Sequence, residues 1–465
     1  MIGAWDKLTI QPLLSICIPT YNRSKYLRKS IESIISQEEF SNGMVEIVIS
    51  DNASEDDTQK IGMEFSEKYE NIHYHRNKDN VRDKNFPIVL SEANGVLRRL
   101  SNDTVLYKKN SLKYICNIIE ENKKERPVIF WSGGAGKSSD ESKKVNFRNF
   151  VQDVSYGMSS ILTFSIWEDE CEDIENDSDG CELQLWQVKK ILELAYRKKN
   201  ILICNKVLTR GQAVEKKNIS YGLYKVFYQN YFTLLSPYFN NKSLSMDDRE
   251  YLEKDLLFCF FSEWCIKWEL QKDDFQFSQT ENLKDAVMQQ YKDKPYWNEY
   301  ENYYQIKLEK TKRLEEERKE IAERIYKKIF DSQIDLRSYY EIMKQYQSDD
   351  TIIGLQQVIE KNYYKLKYLQ DQRFDKYVIW GTGNGGENVK RVMDAFLNKK
   401  CVGYIDSFKS GEKDGLPVYK ADEYDFESKE NYIIVAAANA EKIISDELNK
   451  KGLVELRDYM PQVLF

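Results

Sequence analysis

The first hundred residues alternate between short apolar runs that end in polar turns and longer segments with helical spacing. LLSICIPTY (13–21) closes on Pro19 and Thr20, and YLRKSIESIISQ follows with Leu27, Ile31, Ile34 and Ile35 at helical intervals. VEIVIS (45–50) runs into DNASEDDT, which opens a helix, TQKIGMEFSEKY. NIHYHRN is a third strand. Phe86, Val89, Leu90 and Ala93 then mark a helix, and Val96–Leu100 a fourth strand. Such a rhythm predicts an α/β fold with a mainly parallel sheet, whose ligands sit beyond the carboxyl ends of the strands. Three polar strand ends converge there: Pro19–Asn22, Asp51–Ser54 and Ser101–Thr104. Neither a G-x-G-x-x-G nor a P-loop follows the first strand, so a nucleotide in this crevice is gripped by side chains and turns, not by a glycine cradle.

At 465 residues the chain should form two or three units. A formal charge of −7 argues against a nucleic-acid partner. The eight cysteines include no CxxC pair, and His73 and His75 are the only histidines, which argues against a Cys/His zinc site. Scattered cysteines fit a reducing compartment. With no signal-like N-terminus and no apolar window of the roughly 20 residues a membrane helix needs, the expectation is a cytoplasmic protein. His73 and His75 share one strand face, where packing or hydrogen bonding is the simpler role.

SICIPTYNRSKYLRKSIESIISQ, EIVISDNASEDDT and EANGVLRRLSNDT, in that order, resemble the N-terminal half of a family 2 glycosyltransferase with the GT-A fold. The resemblance covers residues 13–112 and fades towards 210. It implies a nucleoside-diphosphate-sugar donor, inversion at the sugar carbon, and a divalent cation, Mn²⁺ or Mg²⁺, bridging the donor phosphates. By position, Pro19, Thr20, Tyr21 and Asn22 would line the nucleoside, Asp51 would contact it, and Asn52 stands where a second Asp is common. Asp103 matches the metal-binding carboxylate, and Asn102 adjoins it. The family motif normally has two or three acids, whereas here Asn102 and Thr104 flank a single one. One carboxylate suffices for Mg²⁺ when phosphates and waters complete the shell. The competing reading is an Asx turn that caps a helix. Arg82 and Lys84, in the loop NVRDKN, are placed to meet donor phosphates or to lie in solvent.

PVIFWSGG (127–134) and ILICNKVL (201–208) read as further strands, YGMSSILTFSIW as β-rich, and CELQLWQVKKILELAYRK as a helix. An inverting transferase needs a carboxylate base near the acceptor oxygen. The candidates are Glu168, Asp169, Asp177, Asp179 and Glu182. Glu182 comes first, since it would begin that helix, with Asp179 beside it. From Tyr221 to Trp297 the chain is helical and aromatic-rich. A helical core is the simpler account, and stacking on sugars or contact with a membrane surface the alternative. Tyr303–Phe330 is a charged helix whose stripe Leu314, Ile321, Ile325 and Ile329 suits a connector or a homo-oligomer seam.

The composition then changes. KYVIWGTGNGG runs into a helix with G-x-G-x-x-G at Gly381, Gly383 and Gly386, and CVGYID follows with Asp406 about twenty residues on. This is a Rossmann-like pattern in its confirming context. It resembles the small nucleotide-binding-type domains of bacterial sugar-modifying proteins, but no Tyr-x-x-x-Lys dyad accompanies it. The expected organisation is a GT-A domain at 1–215, a helical aromatic-rich region at 216–300, a charged connector at 301–372 and a Rossmann-like α/β domain at 373–465. The expected activity is sugar transfer to a hydroxyl acceptor, a glycan or lipid-linked glycan of a bacterial surface polysaccharide, with peripheral contact at the inner membrane face. Two rivals stand beside it: an NAD(P)-dependent oxidoreductase acting through the C-terminal domain, and a non-catalytic sugar-nucleotide-binding or assembly protein.

Overall fold

The computed structural model describes residues 11–133, 142–212, 217–219, 221–270, 275–277, 282–331, 365–397, 399–437 and 440–461. The N-terminal segment 1–10, Gly134 of the PVIFWSGG run and residues 332–364 of the expected connector lie outside them. The chain divides into two compact units, Met1–Leu308 and Glu309–Phe465.

In the first unit, β1 (Leu14–Thr20), β2 (Val45–Asp51), β3 (Ile72–Arg76) and β4 (Leu97–Leu100) are the four strands read from the sequence. They lie in the order β3-β2-β1-β4, all parallel, and the strand Ser165–Trp167 adds antiparallel to β4. Both faces are covered, so every residue of β1 and β2 except half-buried Pro19 is buried, and their centres are apolar. Ile16, Ile18, Ile47 and Ile49 pack with Leu27, Ile31, Ile61 and Phe65 on one side. Cys17, Val48 and Leu100 pack with Val89, Leu90, Phe150 and Trp186 on the other. A second sheet holds Val128–Trp131 beside Ile201–Cys204 in parallel, with Ser142–Val145 antiparallel at its edge.

Three local readings are corrected. YGMSSILTFSIW is not β-rich: Ser155–Ser159 and Ile161–Thr163 are 3-10 turns, and only Ser165–Trp167 is strand. The reversal starts at Ser155, whose φ is +44°, and Thr163 bonds back to Ser160. The turn at Asn102–Thr104 leads not into a helix but into the strand Val105–Tyr107, and the next helix starts at Ser111. The helix expected to begin near Glu182 begins at Trp186, after a run of turns in which Gln184 takes φ +58°.

Between Tyr221 and Leu308 the rings form a core: Tyr228, Tyr231, Phe261, Tyr291 and Tyr300 are all buried, with Phe227 and Phe260 centroids 4.4 Å apart. The charged helix runs from Trp297 to Asp331. The side chains of Ile321, Ile325 and Ile329, most of its expected seam, lie outside the described residues.

In the second unit, Leu416–Lys420, Lys400–Asp406, Lys376–Trp380, Tyr432–Val435 and Tyr459–Met460 form a parallel sheet in that spatial order, with Gly411–Lys413 antiparallel at the edge. By chain position the parallel strands run 3-2-1-4-5, the doubly wound order. Val389, Val392 and Met393 cover one face and Ile444 and Leu448 the other. The fold is α/β in both units.

Candidate active site

At the carboxyl end of β2, Asp51 is fully buried. Arg76 Nη1 and Tyr74 Oη both donate to its Oδ2 at 2.7 Å, and the Ser54 amide donates to Oδ1 at 2.9 Å. Burial, then the bond to Asp51, raises the Tyr74 phenol well above its usual range. The neighbouring Asn52 shows why an amide stands there. Its Oδ1 accepts from the Val81 amide at 2.9 Å and Asn77 Nδ2 at 3.2 Å, while its Nδ2 donates to Asn80 Oδ1 at 2.8 Å. A carboxylate could not make the last bond. Asn85 completes the lattice by bonding Ser50 through both side-chain and backbone groups.

The loop after β1 is lashed to the same turn. The Asn52 amide donates to the Thr20 carbonyl, the Asn22 amide to Ser54 Oγ, and the Glu55 amide to Asn22 Oδ1. Pro19 is half-buried, Thr20 buried, and Tyr21 and Asn22 open to solvent. Asn22, Ala53 and Arg82, one from each of three loops rimming the crevice, hold positive φ without being glycine. Such strain concentrates at functional sites.

Asp103 faces these loops from the end of β4. It is buried, and its Oδ2 accepts one hydrogen bond, from Thr20 Oγ1 at 2.8 Å. Burial pushes its carboxyl up to about 6, against the Thr20 bond and the nearby Arg23 charge. Asn102 serves the turn: its Oδ1 accepts from the Thr104 amide and hydroxyl. The Asx turn and the carboxylate are thus separate residues, and Asp103 caps no helix. Among the described residues no three His, Cys, Asp or Glu side chains gather as a metal site. A single buried anion with one neutral donor fits a cation whose remaining ligands come from phosphates and water.

Residues 15–149 match the family model described as Glycosyl transferase family 2. These residues form a family 2 glycosyl transferase domain. An abequosyltransferase, RfbV, of Salmonella typhimurium is 47% identical over 85 residues, 18% of this chain and 25% of the relative. The glycosyltransferase AglE of Haloferax volcanii is 33% identical over 61 residues, 13% of this chain and 20% of the relative. The matches thus span a quarter or less of the curated relatives' lengths. Among solved structures, S. aureus TarS 1-349 in complex with UDP aligns at 20% identity and TM-score 0.40, covering 56% of this chain and 75% of that one. TarS 1-349 in complex with UDP-GlcNAc aligns at 16% and 0.41, covering 76% and 91%.

The transferase domain also holds polar groups that the sequence reading missed or left unassigned. Tyr74 escaped notice because it alternates with two histidines in an otherwise ordinary strand, and Asn77 and Asn80 because only the fold brings them to Asn52. Arg23 stands inside the first motif, directly after Asn22, and its charge reaches Asp103. Arg82 and Lys84 are exposed.

Beyond the matched segment, the acidic candidates separate by their partners. Glu168 and Asp169 pair with Arg126 at 2.8 and 2.9 Å, Asp177 with Lys190 at 2.7 Å, and exposed Asp179 with Lys189 at 3.1 Å. Glu182 is exposed on the turn that precedes the helix. His73 Nε2 pairs with buried Glu46 at 3.2 Å, an ion-pair role within the sheet.

In the second unit Gly381 has φ +134°, a conformation that favours glycine. A Cβ on Gly386 would lie 2.1 Å from the Gly381 carbonyl oxygen, so that position is closed to side chains. A Cβ on Gly383 would meet nothing within 4 Å. Asp406 accepts from Thr382 Oγ1 and from the Phe408 amide at 2.9 Å. Desolvation opposes its ionisation, but these bonds hold its carboxyl below the usual range.

Proposed function

We propose that the protein is an inverting glycosyltransferase that moves a sugar from a nucleoside-diphosphate donor to a hydroxyl of a glycan or lipid-linked glycan. The observation that supports this most is the lashing of the β1, β2 and β3 loops around buried Asp51, with under-bonded Asp103 facing them. Pro19, Thr20, Tyr21, Asn22, Asp51 and Asn52 hold the nucleoside, and Asn102, Asp103 and Arg82 serve the diphosphate. A divalent cation, when bound through Asp103, would neutralise the charge that grows on the departing nucleoside diphosphate. The acceptor hydroxyl attacks the sugar carbon, its proton passes to a carboxylate, and the bond to the phosphate oxygen breaks with its electron pair. Glu182 and Asp179 are the base candidates on the acidic turn. The likeness to an abequosyltransferase supports a role in bacterial surface polysaccharide synthesis.

The second unit is read as a nucleotide-binding-type module of structural or regulatory use, held through Gly381, Gly383, Gly386 and Asp406. Open space at Gly383 favours a ligand there, because neither φ nor packing requires a glycine at that position.

A donor screen tests both assignments. Thermal shifts are measured with UDP-, GDP-, CDP- and dTDP-sugars and NAD(P), each with and without Mn²⁺. Stabilisation by one nucleoside diphosphate series, dependent on metal and lost in Asp103→Ala, is the expected result. A shift with NAD(P) alone would favour the oxidoreductase reading, and no shift at all a non-catalytic assembly protein.

A further inference from the structure

Most carboxylates around the crevice and the acidic turn have an evident partner. Asp51 has Arg76 and Tyr74, Asp103 has Thr20, Asp177 has Lys190 and Asp179 has Lys189. Glu182 is open to water. Asp83 differs from all of these: its side chain is half-buried and makes neither a hydrogen bond nor an ion pair among the described residues.

The loop that carries it is firmly held. Asn52 bonds Asn80 and the Val81 amide at one end, and Asn85 bonds Ser50 at the other. Asp83 therefore sits in the loop after β3, at the turn Arg82–Lys84, which is bonded on both sides to the end of β2. The helix that follows, Asn85–Ser91, packs against the acidic segment at Ile174–Asn176. On that side the charge of Asp83 is felt by the Cys181 thiol, which also senses Asp177, Glu182 and Lys84, and by the Tyr221 hydroxyl. Arg82 and Lys84, its neighbours on the loop, are exposed and form no pair with it.

We propose that Asp83 is a substrate-positioning residue, whose carboxylate accepts hydrogen bonds from saccharide hydroxyls where the donor crevice meets the acidic turn. The assignment rests on the glycosyltransferase reading above. A half-buried carboxylate, partly stripped of water and without protein donors, gains from a ligand that supplies them. Neighbouring hydroxyls of a sugar ring do so without adding charge. Tyr221, 37% exposed, offers an aromatic face for the apolar side of the same ring. Burial holds the Asp83 carboxyl up at about 6, against the charge of Arg82 beside it. The hydroxyls could belong to the donor's sugar or to the acceptor, and the two sources separate experimentally.

Full-length wild type, Asp83→Asn and Asp83→Ala are titrated with UDP, GDP, CDP and dTDP and with their nucleotide-sugars, in Mn²⁺, by calorimetry. Turnover is then followed with p-nitrophenyl hexosides as acceptor probes. Both variants should bind the bare nucleoside diphosphate within twofold of wild type, which also reports that they fold. If Asp83 holds the donor's sugar, affinity for the nucleotide-sugar falls at least tenfold. If it holds the acceptor, donor affinity stands while the acceptor KM rises at least tenfold with little change in kcat. Parameters within twofold in both arms overturn the proposal, as does loss of bare nucleotide binding by both variants. A wild type that binds none of these nucleotides removes the glycosyltransferase reading, and the Asp83 assignment with it.

Discussion

Glu46 offers a test of how the scaffold under the site is held together. It lies in β2, its side chain almost fully buried, and it ties three elements at once. Its Oε1 accepts from Ser15 Oγ of β1 at 2.5 Å and from the Asn94 amide, ahead of β4, at 2.6 Å. Its Oε2 meets His73 Nε2 of β3 at 3.2 Å. Burial alone would raise the Glu46 carboxyl, but the bonds from His73, Ser15 and Asn94 outweigh it and hold it below its ordinary value. The same contact lifts His73 above its usual value, against desolvation. Glu46→Gln keeps the size and removes the charge. Breaking a fully buried pair costs about 3–5 kcal/mol, but His73 is 46% exposed and regains water. The expected loss is therefore about 2–3 kcal/mol. Its pH dependence has two limbs. The Glu46 contribution is present above its unfolded value of about 4.3 and is lost as pH falls through the depressed folded one. The His73 contribution is present below about 6.5 and is lost as pH rises through the elevated folded one. The gap between wild type and variant should peak at about pH 5–6.5 and narrow on both sides. Hydrogen–deuterium exchange of β2 peptides across pH, with intrinsic-rate correction, reads this in the first unit alone. A gap below about 0.5 kcal/mol, or one that is flat with pH, would refute the ion-pair account.

Other expectations follow from single contacts. Asp103→Ala should fold and lose the metal-dependent part of nucleotide stabilisation, and metal-dependent donor binding that survives would sink that assignment. Asp51→Asn should destabilise the first unit by about 2–3 kcal/mol in denaturant titration, because Arg76 loses its buried counter-charge; under about 0.5 kcal/mol would show that the pair is dispensable. In the second unit, Gly386→Val should prevent native packing, whereas Gly383→Val should keep the fold by circular dichroism and lose any nucleotide-induced shift. Equal damage from both would mean that the open space at Gly383 is structural.

The elements that were legible in the sequence are those for which one physical force dominates. β1, β2 and the helix Ser24–Ile35 are buried on two faces or on one stripe, so hydrophobic periodicity alone specifies them. The misread segments lack such a force. YGMSSILTFSIW has the β-branched and aromatic residues of a strand, yet Gly157 and the serines let it close into 3-10 turns around buried Met158. Glu182 looked helical because the apolar spacing of the next helix extends back to it, and nothing in the sequence marks the left-handed turn at Gln184.

The site divides along the same line. Asp51 and Asp103 were legible because they end strands, and chain position alone carries them to the crevice. What could not be read is the bonding that decides their chemistry. Thr20 lies far from Asp103 in sequence, and the Tyr74, Arg76 and Asn77 contacts appear only once β2 and β3 are side by side. The same holds for the departure at Asn52. By the resemblance it stands where a second Asp is common, but in the fold it is the residue that can both donate to Asn80 and accept from Val81 and Asn77. An Asp there would cost Asn80 Oδ1 one of its two donors, leaving the Arg82 amide, and would add a second anion within the Asp51 lattice. The amide at Asn52 is thus tied to how the loop after β3 is held, whereas beside Asp103 the side chain of Asn102 is taken up by its own Asx turn.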